Sequence, residues 1–152
     1  MGQDIYKSIN LAALRCLGRR EYGIAELTQH LCHKGFPSKT VAEVVKQLQN
    51  EGAISDQRFA ESYIRARIAR GFGPQRVVNE LRQKGIADEV IDFSLSDIED
   101  QEMTDWSGLA ARVREKRFGV NAPATVQDKA KQWRYLQYKG FTSEQIHSLF
   151  ND

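Results

Sequence analysis

The chain of 152 residues is poor in the residues that build disulfides, metal sites and membrane spans. It has two Cys and three His, and no apolar run approaches the roughly 18 residues that cross a membrane. Cys16 and Cys32 alone form no disulfide framework, which favours a reducing compartment. Residues 1–4 do not begin a basic leader followed by an apolar run. We therefore expect a cytoplasmic protein that makes no membrane contact.

Residues suited to catalysis or metal binding are equally scarce. His30 and His33 share a helix face, but Cys32 points away from it, and a zinc site needs three or four convergent ligands. No Ser-His-acid or Cys-His arrangement has a spacing that indicates a catalytic site. Residues 71–74 follow no strand and lack the Lys-Ser/Thr end of a phosphate-binding loop. We predict no metal, no cofactor and no enzymatic activity.

What the chain does contain is an internal repeat. A six-residue cassette with a central Lys-Gly occurs at 31–36, 81–86 and 136–141. An aromatic-Gly pair precedes each cassette: Tyr22-Gly23, Phe72-Gly73 and Phe118-Gly119. A period near 50 residues indicates one supersecondary unit used three times in tandem. It predicts repeats at 1–53, 54–100 and 101–152.

Helical periodicity dominates each repeat. Apolar residues recur at three-to-four spacing, and no segment alternates with period two, so we predict an all-α protein with nine helices in three groups of three. Acidic residues 97–105 are predicted to link the second and third repeats. The aromatic residue of each aromatic-Gly pair is predicted to fill the core of its repeat.

Helix ends are marked by a few residues of special conformation. Ser55 is a good N-cap, and Pro37 and Pro74 suit the first position of a helix. The glycine of each cassette suits the left-handed conformation that closes a helix. These and the apolar positions of the central repeat form a structural set: Gly35, Phe59, Tyr63, Gly73, Pro74, Leu81, Gly85 and Gly140.

The charge is unevenly distributed, although the net charge is only +2. Residues 55–86 carry seven Lys/Arg against three Asp/Glu, and residues 87–105 carry eight Asp/Glu and no Lys/Arg. Such a chain suits contact with polyanions or with an acidic protein face, and Arg suits bidentate recognition of carboxylate or phosphate. The alternative is ordinary surface with intramolecular pairing to Asp88, Glu89 and Asp92. We assign a partner- or DNA-binding basic face to Arg58, Arg65, Arg67, Arg70, Arg76, Arg82, Lys84, Lys129, Lys131 and Arg134.

A helix-turn-helix array that reads DNA has the same outline of helix, Gly turn and helix. Its recognition helix enters a negatively charged groove and should not be acidic. In the second repeat the corresponding segment, 87–92, holds three carboxylates and no cation. Only Ser38-Lys39-Thr40 of the first repeat is suited to such contact.

The central stretch carries a family resemblance. Its spacing is Asp56-Gln57-Arg58-Phe59-Ala60, Tyr63-Ile64, Arg67, Gly71-Phe72-Gly73-Pro74, Arg76, Glu80-Leu81 and Lys84-Gly85-Ile86. This pattern resembles the RecX family, small regulators of the recombinase RecA. The Lys-Gly-Phe cassettes of the first and third repeats extend the resemblance over nearly the whole chain.

The resemblance implies both a shape and a function. Three tandem three-helix units would form an elongated curved body, a monomer that binds in the groove of the RecA–DNA filament. There it would restrain ATP hydrolysis, strand exchange and co-protease activity in DNA repair, recombination and the SOS response, with weak contact to single- or double-stranded DNA. Inhibition, destabilisation of the filament and capping of its end all stay open. The alternative is a DNA-binding or transcription-regulating helix-turn-helix protein.

Overall fold

The computed structural model describes residues 2–150. Within that range the chain is all helical, with no strand. The helices are α1 Gly2–Leu17, α2 Ile24–His33, α3 Ser38–Asn50, α4 Asp56–Ala69, α5 Pro74–Gln83, α6 Asp88–Glu102, α7 Trp106–Phe118, α8 Val126–Lys139 and α9 Ser143–His147. No helix in this part of the chain is both long and apolar enough to cross a membrane. The predicted all-α class is confirmed, while the elongated curved shape stays a prediction.

The three cassette glycines close helices as predicted. Gly35, Gly85 and Gly140 have φ values of 96°, 83° and 106°, in the region that L side chains rarely adopt. Pro74 is the first residue of α5, as predicted. The prediction for Pro37 was wrong by one position, because this residue is the extended N-cap of α3 (φ −61°, ψ 128°).

Side-chain caps fix the starts of the later helices. The Ser55 hydroxyl accepts a hydrogen bond from the Arg58 amide at 3.2 Å, which confirms the predicted N-cap of α4. Thr125 caps α8 in the same way through the Asp128 amide at 3.0 Å. Such caps satisfy amide groups that the first helical turn leaves without a partner.

The link predicted at 97–105 is confined to residues 103–105, because α6 continues to Glu102. Ile98 is fully buried on this helix, so the acidic residues around it occupy the outer face of an amphipathic helix. The helix also gains tertiary contacts, since the Trp106 indole N–H donates to the Glu99 carboxylate at 2.7 Å. The chain turns after α6 at Met103, whose φ is +50°.

The described residues divide into two compact units. The first comprises the chain up to Ser62 together with Leu81–Ser94. Helices α1, α2 and α3 pack against one another in it. Its core of buried side chains consists of Ile9, Ala13, Cys16, Leu27, Leu31, Val41, Val44, Val45, Leu48 and Ile54.

The second unit comprises Tyr63–Glu80 and the chain from Leu95 onward. Helices α7, α8 and α9 pack against one another in it. Its core consists of Trp106, Leu109, Ala110, Leu136, Phe141 and Ile146. Trp133 is partly buried against this core and stacks on Phe150, with ring centroids 6.1 Å apart.

The aromatic residues of the aromatic-Gly pairs lie at the edge of the cores. Tyr22, Phe72 and Phe118 are each half-buried, so they do not fill the interior as predicted. Cations cover two of the three rings: the Arg20 guanidinium carbon lies 3.7 Å from the Tyr22 centroid, and Phe72 is covered likewise. Positively charged groups are attracted to the negative face of an aromatic ring. These residues therefore join the core to a charged surface.

Candidate functional site

The same contact between an aromatic-Gly bend and a Lys-Gly turn occurs twice. We call its first occurrence, in the first unit, the first junction. There a methyl group added at Gly23 would meet Ile86 Cδ1 at 3.3 Å, and one added at Gly85 would meet Ala25 Cβ at 3.0 Å. The bend that precedes α2 is thus packed against the turn that follows α5.

The second junction, in the second unit, joins the bend before α5 to the turn after α8. The Gly73 amide donates to the Lys139 carbonyl at 2.8 Å, and the Gln75 amide donates to the Gly140 carbonyl at 3.0 Å. A Cβ at Gly73 would collide with the Gly140 main chain, and a Cβ at Gly140 would collide with Arg76. Only glycine permits this close approach of two main-chain segments.

Charges at the first junction are paired. Arg20 and Lys84 both face the Glu26 carboxylate, at 3.1 and 3.9 Å. Arg58 pairs with Glu21 at 3.3 Å. Each of these three cations thus has one of two carboxylates beside it.

Charges at the second junction are strongly positive. The charged groups of Arg67, Arg76 and Lys139 lie 3.8, 4.5 and 4.0 Å from the ring centroid of Phe72. One carboxylate, Glu80, pairs with Arg67 at 2.9 Å and with Arg76 at 3.4 Å. Three cations therefore surround one ring, with a single anion to compensate them.

Glu80 is held ionised by its neighbours. Its carboxylate accepts hydrogen bonds from the Tyr63 hydroxyl at 3.0 Å and from Arg67 Nε at 3.0 Å. Partial burial acts to raise the pKa of Glu80, but the hydrogen bonds from Tyr63, Arg67 and Arg76 outweigh it, and the pKa lies below its usual value. The carboxylate therefore stays ionised and is held by Tyr63, Arg67 and Arg76.

Beside the second junction lies an open hollow of about 730 Å³. Five cations line it, and we call them the cationic basin: Arg70, Arg112, Lys116, Arg117 and Lys139. None of the described residues that line the hollow is acidic. Burial and then the charge of Arg76 lower the pKa of Lys139, as expected where like charges gather.

Three segments position the basin. Arg70 lies in the turn after α4, Lys139 ends α8, and α7 supplies the other three cations. Arg112 and Lys116 are four residues apart and share a helix face. Arg114 has a different role, because it donates to the Gln132 side chain at 2.8 Å and to the Asn121 carbonyl at 2.6 Å. Arg114 thus stabilises the connection between α7 and α8 and is not one of the basin cations.

Aromatic walls accompany the cations. Phe72 and Tyr135 line the hollow, and the Arg117 guanidinium carbon lies 5.4 Å from the Tyr135 centroid. Tyr138, next to Lys139 in the chain, is 68% exposed with Arg76 4.8 Å from its ring centroid. Clustered Arg and Lys can bind an anion, while the ring faces can stack on a planar group.

The ten basic residues predicted from the sequence divide into two groups in the structure. Six form ion pairs with carboxylates: Arg58 with Glu21, Arg65 with Glu102, Arg67 and Arg76 with Glu80, Arg82 with Asp88, and Lys84 with Glu26. Pairing reduces the charge that these groups offer to a partner. The intramolecular pairing of Arg82 with Asp88 was the alternative considered for this part of the sequence.

The other four predicted residues are Arg70, Lys129, Lys131 and Arg134. Arg70 belongs to the cationic basin. Lys129 lies 5.7 Å from the ring centroid of Phe150, and Lys131 and Arg134 are exposed on α8. The structure thus brings one predicted residue into the basin, and the others lie elsewhere.

Sequence reasoning missed the other four basin residues: Arg112, Lys116, Arg117 and Lys139. A signal was present on α7, since residues 112–117 hold four Lys/Arg against one Glu. The basic run of the central repeat is longer, and its ion pairs are not visible in the sequence. Lys139 gives no separate signal, because it belongs to a cassette whose Lys-Gly marks a helix end.

Of the structural set, Phe59 and Leu81 are buried. Tyr63 is half-buried and donates to Glu80. The glycines and Pro74 stand at the helix boundaries and junctions described above.

Comparison with known proteins relates all three helical groups to one family. Models of the first, second and third three-helix domains of RecX match residues 11–48, 55–95 and 108–150. The chain belongs to the RecX family. It therefore consists of three tandem three-helix domains of that family.

Relatives in the RecX family match over most of their length. "Regulatory protein RecX" of Halorhodospira halophila is 42% identical over 142 residues, covering 93% of this chain and 86% of that protein. The proteins of the same name from Legionella pneumophila and Pseudomonas entomophila are 38% and 35% identical. They cover 93% and 97% of this chain and 91% and 93% of their own lengths. These relatives are named regulatory proteins.

Solved structures of RecX proteins share the fold. A crystal structure of RecX from Lactobacillus salivarius is 22% identical with a TM-score of 0.80, covering 97% of this chain and 96% of that one. Another crystal structure of regulatory protein RecX is 23% identical with a TM-score of 0.82, covering 99% and 74%.

Proposed function

We propose that this chain binds the filament that RecA forms on DNA and inhibits RecA's ATPase, strand exchange and co-protease activities. Membership of the RecX family over all three domains is the observation that carries this proposal. The chain works in the cytoplasm as a monomer and makes weak contact with single- or double-stranded DNA. It performs no chemistry of its own.

The cationic basin supports the proposal, because a filament of protein on DNA presents phosphates and acidic side chains to a ligand. Five cations around one hollow give a local positive potential that attracts such a surface. Lys129, Lys131 and Arg134 extend the positive charge on the same unit. Several weak contacts on neighbouring filament subunits add through effective concentration, so assembled filament is bound in preference to monomeric RecA.

The helix-turn-helix alternative gains less support. A recognition helix needs several residues that reach into the groove, but α9 has only five residues. The first turn of α6 carries Asp88 and Glu89, which phosphates would repel. Among the third helices of the three repeats, α3, α6 and α9, only α3 has an exposed lysine, Lys39, in its first turn.

Measurement of RecA ATPase on single-stranded DNA tests the proposal. The variant Arg112→Gln/Lys116→Gln/Arg117→Gln removes three exposed basin cations. We expect it to raise the concentration needed for half-inhibition at least about tenfold, the effect of roughly 1.4 kcal/mol of lost binding.

The matched control is Lys7→Gln/Arg15→Gln/Arg19→Gln, which removes the same residue types from exposed positions of the first unit. It should inhibit like the wild type. If the wild-type chain leaves RecA's ATPase, strand exchange and co-protease activities unchanged at every concentration tested, the proposed function is wrong.

A further inference from the structure

The second junction carries more positive charge than the first. The bends of the two junctions correspond at an offset of 50 residues and their turns at an offset of 55. Glu21 and Glu26 of the first junction correspond to Gly71 and Arg76 of the second, and the second junction has Glu80 where the first has His30. It therefore has one carboxylate fewer, and an arginine in place of a glutamate.

The basin cations also lack acidic partners. Within residues 2–150 no Asp or Glu forms an ion pair with any of the five, in contrast to Arg20, Arg58 and Lys84 at the first junction. Five cations without acidic partners around an open hollow indicate an anionic ligand.

We propose that the cationic basin binds the phosphodiester backbone of single-stranded nucleic acid, with a base stacked on Tyr138. The inference deepens the proposed function, since it names the chemistry that this surface of the chain recognises. It assigns contacts to phosphate to Arg70, Arg112, Lys116, Arg117 and Lys139.

The geometry suits phosphates of a strand. Arg112 and Lys116 stand one helical turn apart, about 6 Å between Cβ atoms, so that each can contact a different phosphate. Arg117 and Arg70 offer planar guanidinium groups, which bind two oxygens of one phosphate at once. The lining contains no acid that would repel the strand.

The aromatic residues favour a nucleic acid over an acidic peptide. Sites for single strands combine a basic groove with exposed rings on which bases stack. Tyr138 is 68% exposed and lies three residues from Tyr135 on α8, so both rings are on one side of the helix. Arg76 backs the Tyr138 ring at 4.8 Å, which leaves its other face for a base. A peptide of Asp and Glu has no group that needs this ring.

The test is binding of fluorescein-labelled oligo(dT) without RecA, followed by anisotropy over a range of salt concentrations. Arg112→Gln/Lys116→Gln/Arg117→Gln should weaken binding at least about tenfold. It should also make the slope of log K against log salt shallower by about 2, because each phosphate contact on a single strand contributes about 0.7. Tyr138→Ala should weaken binding about fivefold or more through loss of stacking.

The matched control Lys7→Gln/Arg15→Gln/Arg19→Gln should retain wild-type binding and slope. An equal loss in this control, or wild-type binding in the basin variant, would overturn the proposal. Two further results would also overturn it. In one, oligo-glutamate of equal charge displaces the labelled strand as effectively as unlabelled oligo(dT) does. In the other, free ATP binds more tightly than oligo(dT). Circular dichroism verifies folding, and Arg112→Gln/Lys116→Gln replaces the triple variant if that one unfolds.

The outcome is separable from that of the proposed function. If the basin variant loses RecA inhibition but still binds oligo(dT), the nucleic-acid site is wrong and the regulatory function stands. If it loses oligo(dT) binding and still inhibits RecA, the site stands and the basin is not where the filament is inhibited.

Discussion

Gly73 and Gly140 lie so close together that a methyl group on the first would collide with the main chain of the second. The contact fixes the bend before α5 to the turn after α8 through main-chain hydrogen bonds. The same pair of sequence signals, an aromatic-Gly and a Lys-Gly, meets at both junctions, but the fit is tighter at the second.

We expect Gly73→Ala to lower the free energy of unfolding by about 2 kcal/mol or more, because main-chain atoms cannot move aside as a side chain can. The control is Gly23→Ala at the corresponding position of the first junction. Its nearest neighbour is Ile86 Cδ1 at 3.3 Å, which can rotate, so the cost should stay under about 1 kcal/mol. Urea denaturation measures both, and equal costs would contradict the close contact.

Gly85→Val and Gly35→Val separate backbone strain from crowding. Both glycines have positive φ, so a β-branched side chain at either should cost at least about 1 kcal/mol. Gly35 has no atom within 4 Å of an added Cβ, whereas Gly85 faces Ala25 Cβ at 3.0 Å. We therefore expect the Gly85 variant to lose a further 1 kcal/mol or more, about the cost of overpacking. Equal thermal stabilities would show that the first junction is not packed at this point.

Glu80→Gln should make stability less dependent on pH. Because the folded pKa of Glu80 lies below its usual value, its ionised form stabilises the fold above the unfolded pKa, and that stabilisation is lost as pH falls through the folded pKa. At pH 7 the Gln variant should be less stable by about 1–3 kcal/mol, the usual contribution of hydrogen bonds to a charged group.

The difference between Glu80→Gln and wild type should shrink below about pH 4, where the carboxyl becomes protonated. The matched control is Glu61→Gln, whose carboxylate accepts from the Gln57 amide at 3.2 Å in an exposed pair. This variant should lose little stability at pH 7, because an exposed hydrogen bond contributes little. A constant difference for the Glu80 variant from neutral to acid pH would refute the role given to this charge.

Binding of an anion should raise the pKa of Lys139. Burial and neighbouring cations lower that pKa in the chain without ligand, and a bound phosphate favours the charged ammonium. Affinity for oligo(dT) should therefore fall as pH rises through the Lys139 pKa. The Cε chemical shift of this lysine, titrated with and without oligo(dT), measures the change, and Lys139→Gln should remove this part of the pH dependence. An unchanged midpoint would contradict contact between Lys139 and the strand.

Much of the fold could be predicted because repetition and helical period are local features of a sequence. Gly35, Gly85 and Gly140 were placed at helix ends from their Lys-Gly context, and their φ values confirm it. The end of α6 could not be predicted, because residues 99–102 are all polar and offer no apolar position that extends the helical period beyond buried Ile98.

The candidate site was harder to predict, because it depends on which charges find partners in the folded chain. Arg67 and Glu80 are 13 residues apart in sequence, and Arg65 and Glu102 are 37 apart, yet each pair forms an ion pair. Nothing in the sequence distinguishes these arginines from Arg70, which lines the hollow. The basin forms only in the folded chain, where α7 and the end of α8 lie beside the turn that holds Arg70.

At the second junction, main-chain hydrogen bonds fix the positions of the surrounding residues, whatever charge their side chains carry. Because Gly73, Gln75 and Gly140 hold the two segments together through the backbone, residues such as Arg76 can be exchanged with little movement of the scaffold. Glu26 stands at the position of the first junction that corresponds to Arg76. Replacing Arg76 by Glu would lower the net charge of the surface by two. A chain built from such repeats can therefore acquire, strengthen or abandon an electrostatic binding surface by substitution at a few positions, while each repeat keeps its fold.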